Sequence, residues 1–202
     1  MAQTYEEMDA IAMLKADHRK VEEIFAAFEA ATSPAKKQKL ALEACLELKV
    51  HTTIEEEIFY PACEGRIEED LLKEAYVEHD GAKLLINEIE AASPEDDFYD
   101  AKVKVLSEEI EHHVKEEEQR VEGMFAQARA AGLDMDALAD AMRARKKTAM
   151  EEFQAGKPAE TRTLSGDKGV ETSPPDAVAE ARLAAGADDA DPRRRPRLSA
   201  RC

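Results

Sequence analysis

Apolar residues recur at spacings of three and four along the first 154 positions, and no stretch alternates apolar with polar residues as a half-buried strand would. The pattern predicts helices, and its interruptions mark their ends. Thr4 to Glu7 reads as a capping box opening a first helix that runs to about residue 31. Ser33 before Pro34 places an N-cap residue next to a proline whose missing N–H is harmless in a first turn, so a second helix starts there and runs toward Tyr60. The segment 61–66, with Pro61 and Gly65, should break it. A third helix is expected over about 68–92, and Ser93-Pro94 repeats the cap signal for a fourth from about 95 to 130, closed by Gly132. Asp134 can cap a short fifth, amphipathic helix through about Phe153. Four long helices with connections of roughly two to eight residues favour antiparallel neighbours, hence an all-α, up-and-down four-helix bundle.

Composition adds a boundary and a sign. Of 202 residues, 45 are acidic and 28 basic, a net charge of -17. Residues 1–154 hold 37 of the acids and 19 of the bases, so the acidity belongs to the predicted bundle. Such a balance argues against an electrostatic footprint on nucleic acid or anionic lipid, so neither nucleic acid nor membrane is an expected partner. Residues 155–202, with runs such as GADDADPRRRPR and almost no large apolar side chain, cannot bury enough surface to offset ordering entropy and are expected to form a disordered tail. Three scattered cysteines make neither a disulfide framework nor a CxxC pair. With no signal-peptide pattern and no run of eighteen apolar residues, the expected location is the cytoplasm.

Histidine is scarce: His18, His51, His79, His112 and His113 are all there is. The inward face of the first helix reads Ile11, Leu14, His18, Val21, Phe25, Phe28, and that of the second Ala44, Leu48, His51, Glu55, Ile58, Phe59. The third gives Leu72, Ala75, Tyr76, His79, Ala82, Ile86, Ile89, and the fourth Leu106, Ile110, His113, Glu117, Val121, Met124. One histidine on an apolar face is usually a hydrogen-bonded core residue. Four of them, one per helix, fit that explanation badly, because with roughly three positions in seven facing inward all four would do so by chance about three times in a hundred. Glu55 and Glu117 strain it further, since an ionised carboxylate in a core costs several kcal/mol unless it is paired or bound to metal.

Imidazole and carboxylate together are ligands for a divalent transition metal. The HxxxE spacings His51–Glu55 and His113–Glu117 stack a nitrogen and an oxygen donor one turn apart, able to serve one centre or two adjacent ones. With no thiolate in the set, iron or manganese suits it better than structural zinc. A ferritin-like di-iron bundle would need two Glu-x-x-His motifs, and only Glu109 to His112 matches, off the inward phase. There is no HExxH, no glycine-rich phosphate loop and no serine or cysteine with an evident histidine base.

The order H, HxxxE, H, HxxxE, in the segments DHRKVEEIF, HTTIEEEIFYP, EHD and HHVKEEE, resembles the hemerythrin-like (HHE cation-binding) family over about residues 5–150. The resemblance implies two iron ions with a bridging oxo or hydroxo group, iron being favoured over manganese or zinc. It also implies His18, His51, His79 and His113 as terminal ligands and Glu55 and Glu117 as bridges. One departure stands out. The family's oxygen carriers have a further histidine four residues before the third-helix ligand, where this chain has Ala75, so one extra coordination place is left for water or for Tyr76, Glu118 or His112. His112 and Glu116 are also alternatives to His113 and Glu117.

A more open centre suits reaction with a small oxidant (dioxygen, peroxide or nitric oxide) better than reversible carriage. The expected function is therefore a di-iron protein that binds or senses such a molecule. A peroxidase-like, catalase-like or NO-reducing enzyme, and an iron storage or iron-sensing module, are the alternatives.

Overall fold

A computed structural model describes residues 5–164, and its helices are α1 (Ala10–Glu29), α2 (Pro34–Ile54), α3 (Tyr60–Cys63), α4 (Glu69–Ala91), α5 (Tyr99–Glu118), α6 (Met124–Ala130) and α7 (Met135–Gln154). No strand occurs among the described residues. The long helices α1, α2, α4 and α5 form the bundle, with α1 against α2 and α5, α2 against α4, and α4 against α5.

Local chemistry explains most of the boundaries. Ser33 accepts from the Lys36 N–H and Pro34 opens α2, as the cap signal predicts. Asp134 caps α7 by accepting from the Ala137 N–H, and Gly132 just before it takes the left-handed φ of +70°. At the first helix the expectation is displaced: Asp9, not Thr4, is the N-cap, accepting from Ala12 at 2.8 Å, while Tyr5–Glu7 form a separate short turn. Ser93-Pro94 does not open a helix either. The Ser93 N–H is taken by Asp96 within a turn, and α5 begins only at Tyr99.

Two interruptions bear on the site. α2 runs into a π-helical turn over Glu55–Phe59, in which the Tyr60 N–H reaches back to the Glu55 carbonyl. Pro61 follows directly on this wider turn, and the helix continues past the expected break to Cys63. The fourth helix, in contrast, stops twelve residues before its expected end. It breaks at Glu118 and resumes at Met124 through a turn so tight that a Cβ on Gly123 would lie 2.6 Å from the Gln119 backbone and 2.7 Å from the Glu117 carbonyl. Val121, expected to face inward, is 81% exposed as a result.

α7 fills the span expected of a fifth helix after Asp134, and it lies along α2 and α1. The boundary expected after residue 154 does not coincide with the end of the packed chain. Asn87 and Ala159 exchange two hydrogen bonds, and the buried Asp80 carboxylate accepts from the backbone N–H groups of Arg162, Thr163 and Leu164 and from the Thr163 hydroxyl. Those bonds supply the ordering energy that apolar composition does not. The remainder of the expected tail, 165–202, lies outside the described residues.

The core has two main apolar layers, beside a small cluster of Val50, Ala149 and Phe153. One gathers Val21, Phe25, Leu48, Ile86 and Leu106, and the other Leu14, Ile54, Phe59, Tyr60, Leu72, Met124 and Met142. His18, His51 and His79 each fall on their helix between residues of these two layers, and His113 lies beyond Ile110 of the first layer, toward the α6 residues Met124 and Phe125 of the second.

Replacing Gly123 by alanine should force the 119–123 turn open and cost about 1–3 kcal/mol of stability. Urea unfolding of the variant measures this, and an unchanged midpoint would show that the close approach is not a constraint.

Candidate metal centre

Two groups of side chains converge in the polar layer. His18, His51, Glu55 and Glu117 form one, and Glu55, His79 and His113 the other, with the donor atoms of each group within 4.8 Å of one another and every member buried. The Nε2 atoms of His18 and His51 approach to 3.1 Å, as do those of His79 and His113. Glu55 Oε2 lies 3.1 Å from His51 Nε2 and 3.4 Å from His79 Nε2, so this carboxylate belongs to both groups. Glu117 likewise spans them, with Oε2 3.3 Å from His18 Nε2 and Oε1 3.6 Å from His113 Nε2. All six residues singled out from the sequence thus meet in one place.

Each imidazole turns its other nitrogen outward to a carboxylate. His18 Nδ1 donates to Glu118 at 2.9 Å, His79 Nδ1 to Glu56 at 3.0 Å and His113 Nδ1 to Glu78 at 2.7 Å, while His51 Nδ1 faces Asp17 at 3.6 Å. An outer carboxylate of this kind fixes the tautomer that leaves the Nε2 lone pair pointing inward and raises its basicity, which is how metal-binding histidines are oriented.

The donor set fits a divalent cation on two counts. Two donors each about 2.1 Å from one ion and at right angles lie about 3.0 Å apart, close to the nitrogen and oxygen separations here. The second count is the carboxylates. Glu55 is 0% exposed and neither of its oxygens has a hydrogen bond, and Glu117 Oε2 is equally unsatisfied. Buried carboxylate oxygens without partners are costly, and a cation between them removes the cost.

The protein groups strain against one another. Burial and the Glu117 charge push Glu55 up from its ordinary range, whereas Glu117 is held down to about 2 because His113 and His18 outweigh its burial. Burial opposes charge on His51 and His113, yet Glu55 with Asp17, and Glu117 with Glu78, raise them to about 10 and about 9. His79 is driven well below its usual value by burial and by His113, and stays neutral.

Sequence reasoning missed Tyr60. Its hydroxyl donates to Glu117 Oε1 at 3.1 Å and lies 3.1 Å from His79 Nε2 and 3.4 Å from His113 Nε2, fully buried. Five residues beyond Glu55, it would sit about 140° away around a regular helix. The π turn widens the helix and returns it to the site, as such turns often do at functional positions. The candidates named for the place left by Ala75 are elsewhere. Tyr76 packs edge-on against Tyr60, Glu118 holds the outer nitrogen of His18, and the His112 side chain is 63% exposed with Glu116 and Glu78 around it. The alternative pair His112 and Glu116 therefore does not enter the buried cluster.

Space at the cluster is small. A cavity of about 10 Å³, lined by His18, His51, His79, His113 and Thr52 among others, is of the size of one water molecule. Thr52 also lines a cavity of about 140 Å³ beneath residues 157–162. Phe125 of α6 stacks on His18 with ring centroids 5.9 Å apart, within the apolar layer that closes the other side.

A DNA nickase from Nostoc sp. is 28% identical over 113 residues, which are 56% of this chain and only 32% of that protein. The crystal structure of a hemerythrin HHE cation binding domain-containing protein from Mycobacterium kansasii, 18% identical, shares the fold with a TM-score of 0.61 over 73% of this chain and 91% of its own. Residues 9–125, which contain every donor of the two buried groups, match the hemerythrin HHE cation binding domain, and the chain belongs to that family.

Proposed function

We propose that the protein binds a non-haem di-iron centre in this cluster and uses it to bind or sense a small oxidant such as dioxygen, peroxide or nitric oxide. His18, His51, Glu55 and Glu117 would hold one iron, and Glu55, His79 and His113 the other, with Glu117 serving both and the Tyr60 oxygen completing the second set. The observation that carries this reading is Glu55, wholly buried, without a hydrogen bond, and shared by two converging groups of imidazoles. Nitrogen and oxygen donors without thiolate suit iron or manganese, and the resemblance to the hemerythrin family favours iron. Bound there, iron would supply a change of oxidation state and open positions for a ligand.

The chain's own part is positional. Outer carboxylates aim the four Nε2 atoms, the apolar layers exclude bulk water, and Tyr60 holds a proton against Glu117 Oε1. Burial and the neighbouring Glu117 and Glu55 charges keep that phenol far above its ordinary pKa while no cation is present, and a cation held by those carboxylates would cancel their charge and let the oxygen bind as phenolate. A cavity of about 10 Å³ supports a ligand of two or three atoms and not an organic substrate. A net charge of -17 offers a phosphate backbone no footprint, so DNA nicking is not part of this reading.

Metal analysis with an ultraviolet-visible spectrum should find two irons per chain, and a colourless protein devoid of metal would overturn the proposal. His51→Ala and Glu55→Ala should each abolish iron binding, since each removes a donor that the cluster cannot replace. Tyr60→Phe should keep its iron but change the visible absorption by loss of the phenolate-to-metal band, and an identical spectrum would remove Tyr60 from the donor set. Because His51 and His113 are protonated near neutral pH and must be neutral as ligands, iron uptake by the metal-free protein should release at least about two protons per chain. It follows that affinity rises with pH and iron is lost as pH falls. A pH-stat titration showing no proton release would contradict that sign.

A further inference from the structure

We propose that Glu78, His112 and Glu116 form a second, solvent-facing site for a divalent cation, separate from the buried cluster. The three side chains come from two helices, Glu78 from α4 and the i,i+4 pair His112 and Glu116 from α5. His112 Nε2 lies 3.6 Å from Glu78 Oε1 and 3.3 Å from Glu116 Oε1, and all three donors fall within 4.8 Å of one another. One imidazole and two carboxylates suit zinc, manganese or ferrous ion. The exposure of His112 leaves solvent to fill the remaining positions, and an open groove of about 390 Å³ along Glu78, Gly81, Glu109 and His112 gives access.

Charge balance supplies an independent argument. Four carboxylates hold or face the outer nitrogens of the buried histidines, and three of them meet a permanent cation. Glu56 meets Lys83 and Arg162, Asp17 meets Lys146, and Glu118 meets Arg19 and Lys15. The fourth, Glu78, pairs only with His112 and His113 among the described residues, and Glu116 only with His112. A bound cation at this point takes the role that lysine and arginine have at the other three. It would share Glu78 with the buried cluster, through Oε1 on the outer ion and Oε2 on His113 Nδ1, 2.7 Å away.

The test is equilibrium dialysis of iron-loaded full-length protein against zinc, with both metals measured. Wild type should retain one zinc per chain more than His112→Ala, with Glu116→Gln at least about tenfold weaker than wild type and iron content equal in all three. His112 is exposed, so its removal leaves the fold in place. Equal zinc in wild type and His112→Ala overturns the proposal. If the buried cluster takes zinc instead of iron, both proteins gain the same extra zinc and the difference of one ion remains the readout, so failure of the di-iron reading stays distinguishable.

Discussion

Two carboxylates in the dry middle of a helical bundle are the constraint on which the structure turns. Glu55 and Glu117 are each 1% exposed or less, lie among the same buried imidazoles, and leave oxygen atoms without hydrogen bonds. Burial penalises every charge among these groups and the two acids repel, so each group's protonation is set at a cost to its neighbours. The surroundings are graded accordingly. Acids and imidazoles fill the centre, carboxylates stand behind the imidazoles, and lysine or arginine stands behind most of those carboxylates. The apolar layers to either side confine this alternation to one level of the bundle, and only a cation at its middle completes it.

The sequence made the level itself visible, because helical periodicity places His18, His51, His79 and His113 on inward faces without reference to tertiary structure. It made the outer carboxylates invisible for the same reason. Glu56 sits in a run of three glutamates and reads as solvated, yet it is buried because Lys83 from α4 and Arg162 from beyond α7 neutralise it. Asp17 and Glu78 are equally ordinary acids on polar faces until a neighbouring helix brings a histidine nitrogen to them, and Glu118, named as a candidate for the open coordination place, stands instead behind His18. Val121 was misread because the periodic pattern runs straight through a break that depends on Gly123, whose backbone approach no local pattern announces.

The stretch after residue 154 shows the limit of arguing order from apolar content. Only Ala159 of residues 157–164 is buried apolar surface, and what fastens the segment is hydrogen bonding to two α4 side chains, Asn87 and Asp80. Arg162 then extends the ordering to the centre, since its guanidinium lies 3.0 Å from Glu56 and Glu56 holds His79. A piece of chain outside the matched region, residues 9–125, thereby sets the surroundings of a cluster histidine.

The π turn at Glu55–Phe59 bears on how such chains are compared. It accommodates one more residue than a regular turn while leaving the partners on one face, so Glu55 and Tyr60 stand as an i,i+4 pair would in an unbroken helix. A relative with one residue fewer between them could present the same glutamate and phenol from plain α-helix. Aligning the two would require a gap inside a helix, where gaps are ordinarily penalised. A search that fixes the spacing of HxxxExxxxY would pass over a chain carrying HxxxExxxY although the oxygen atoms coincide in space.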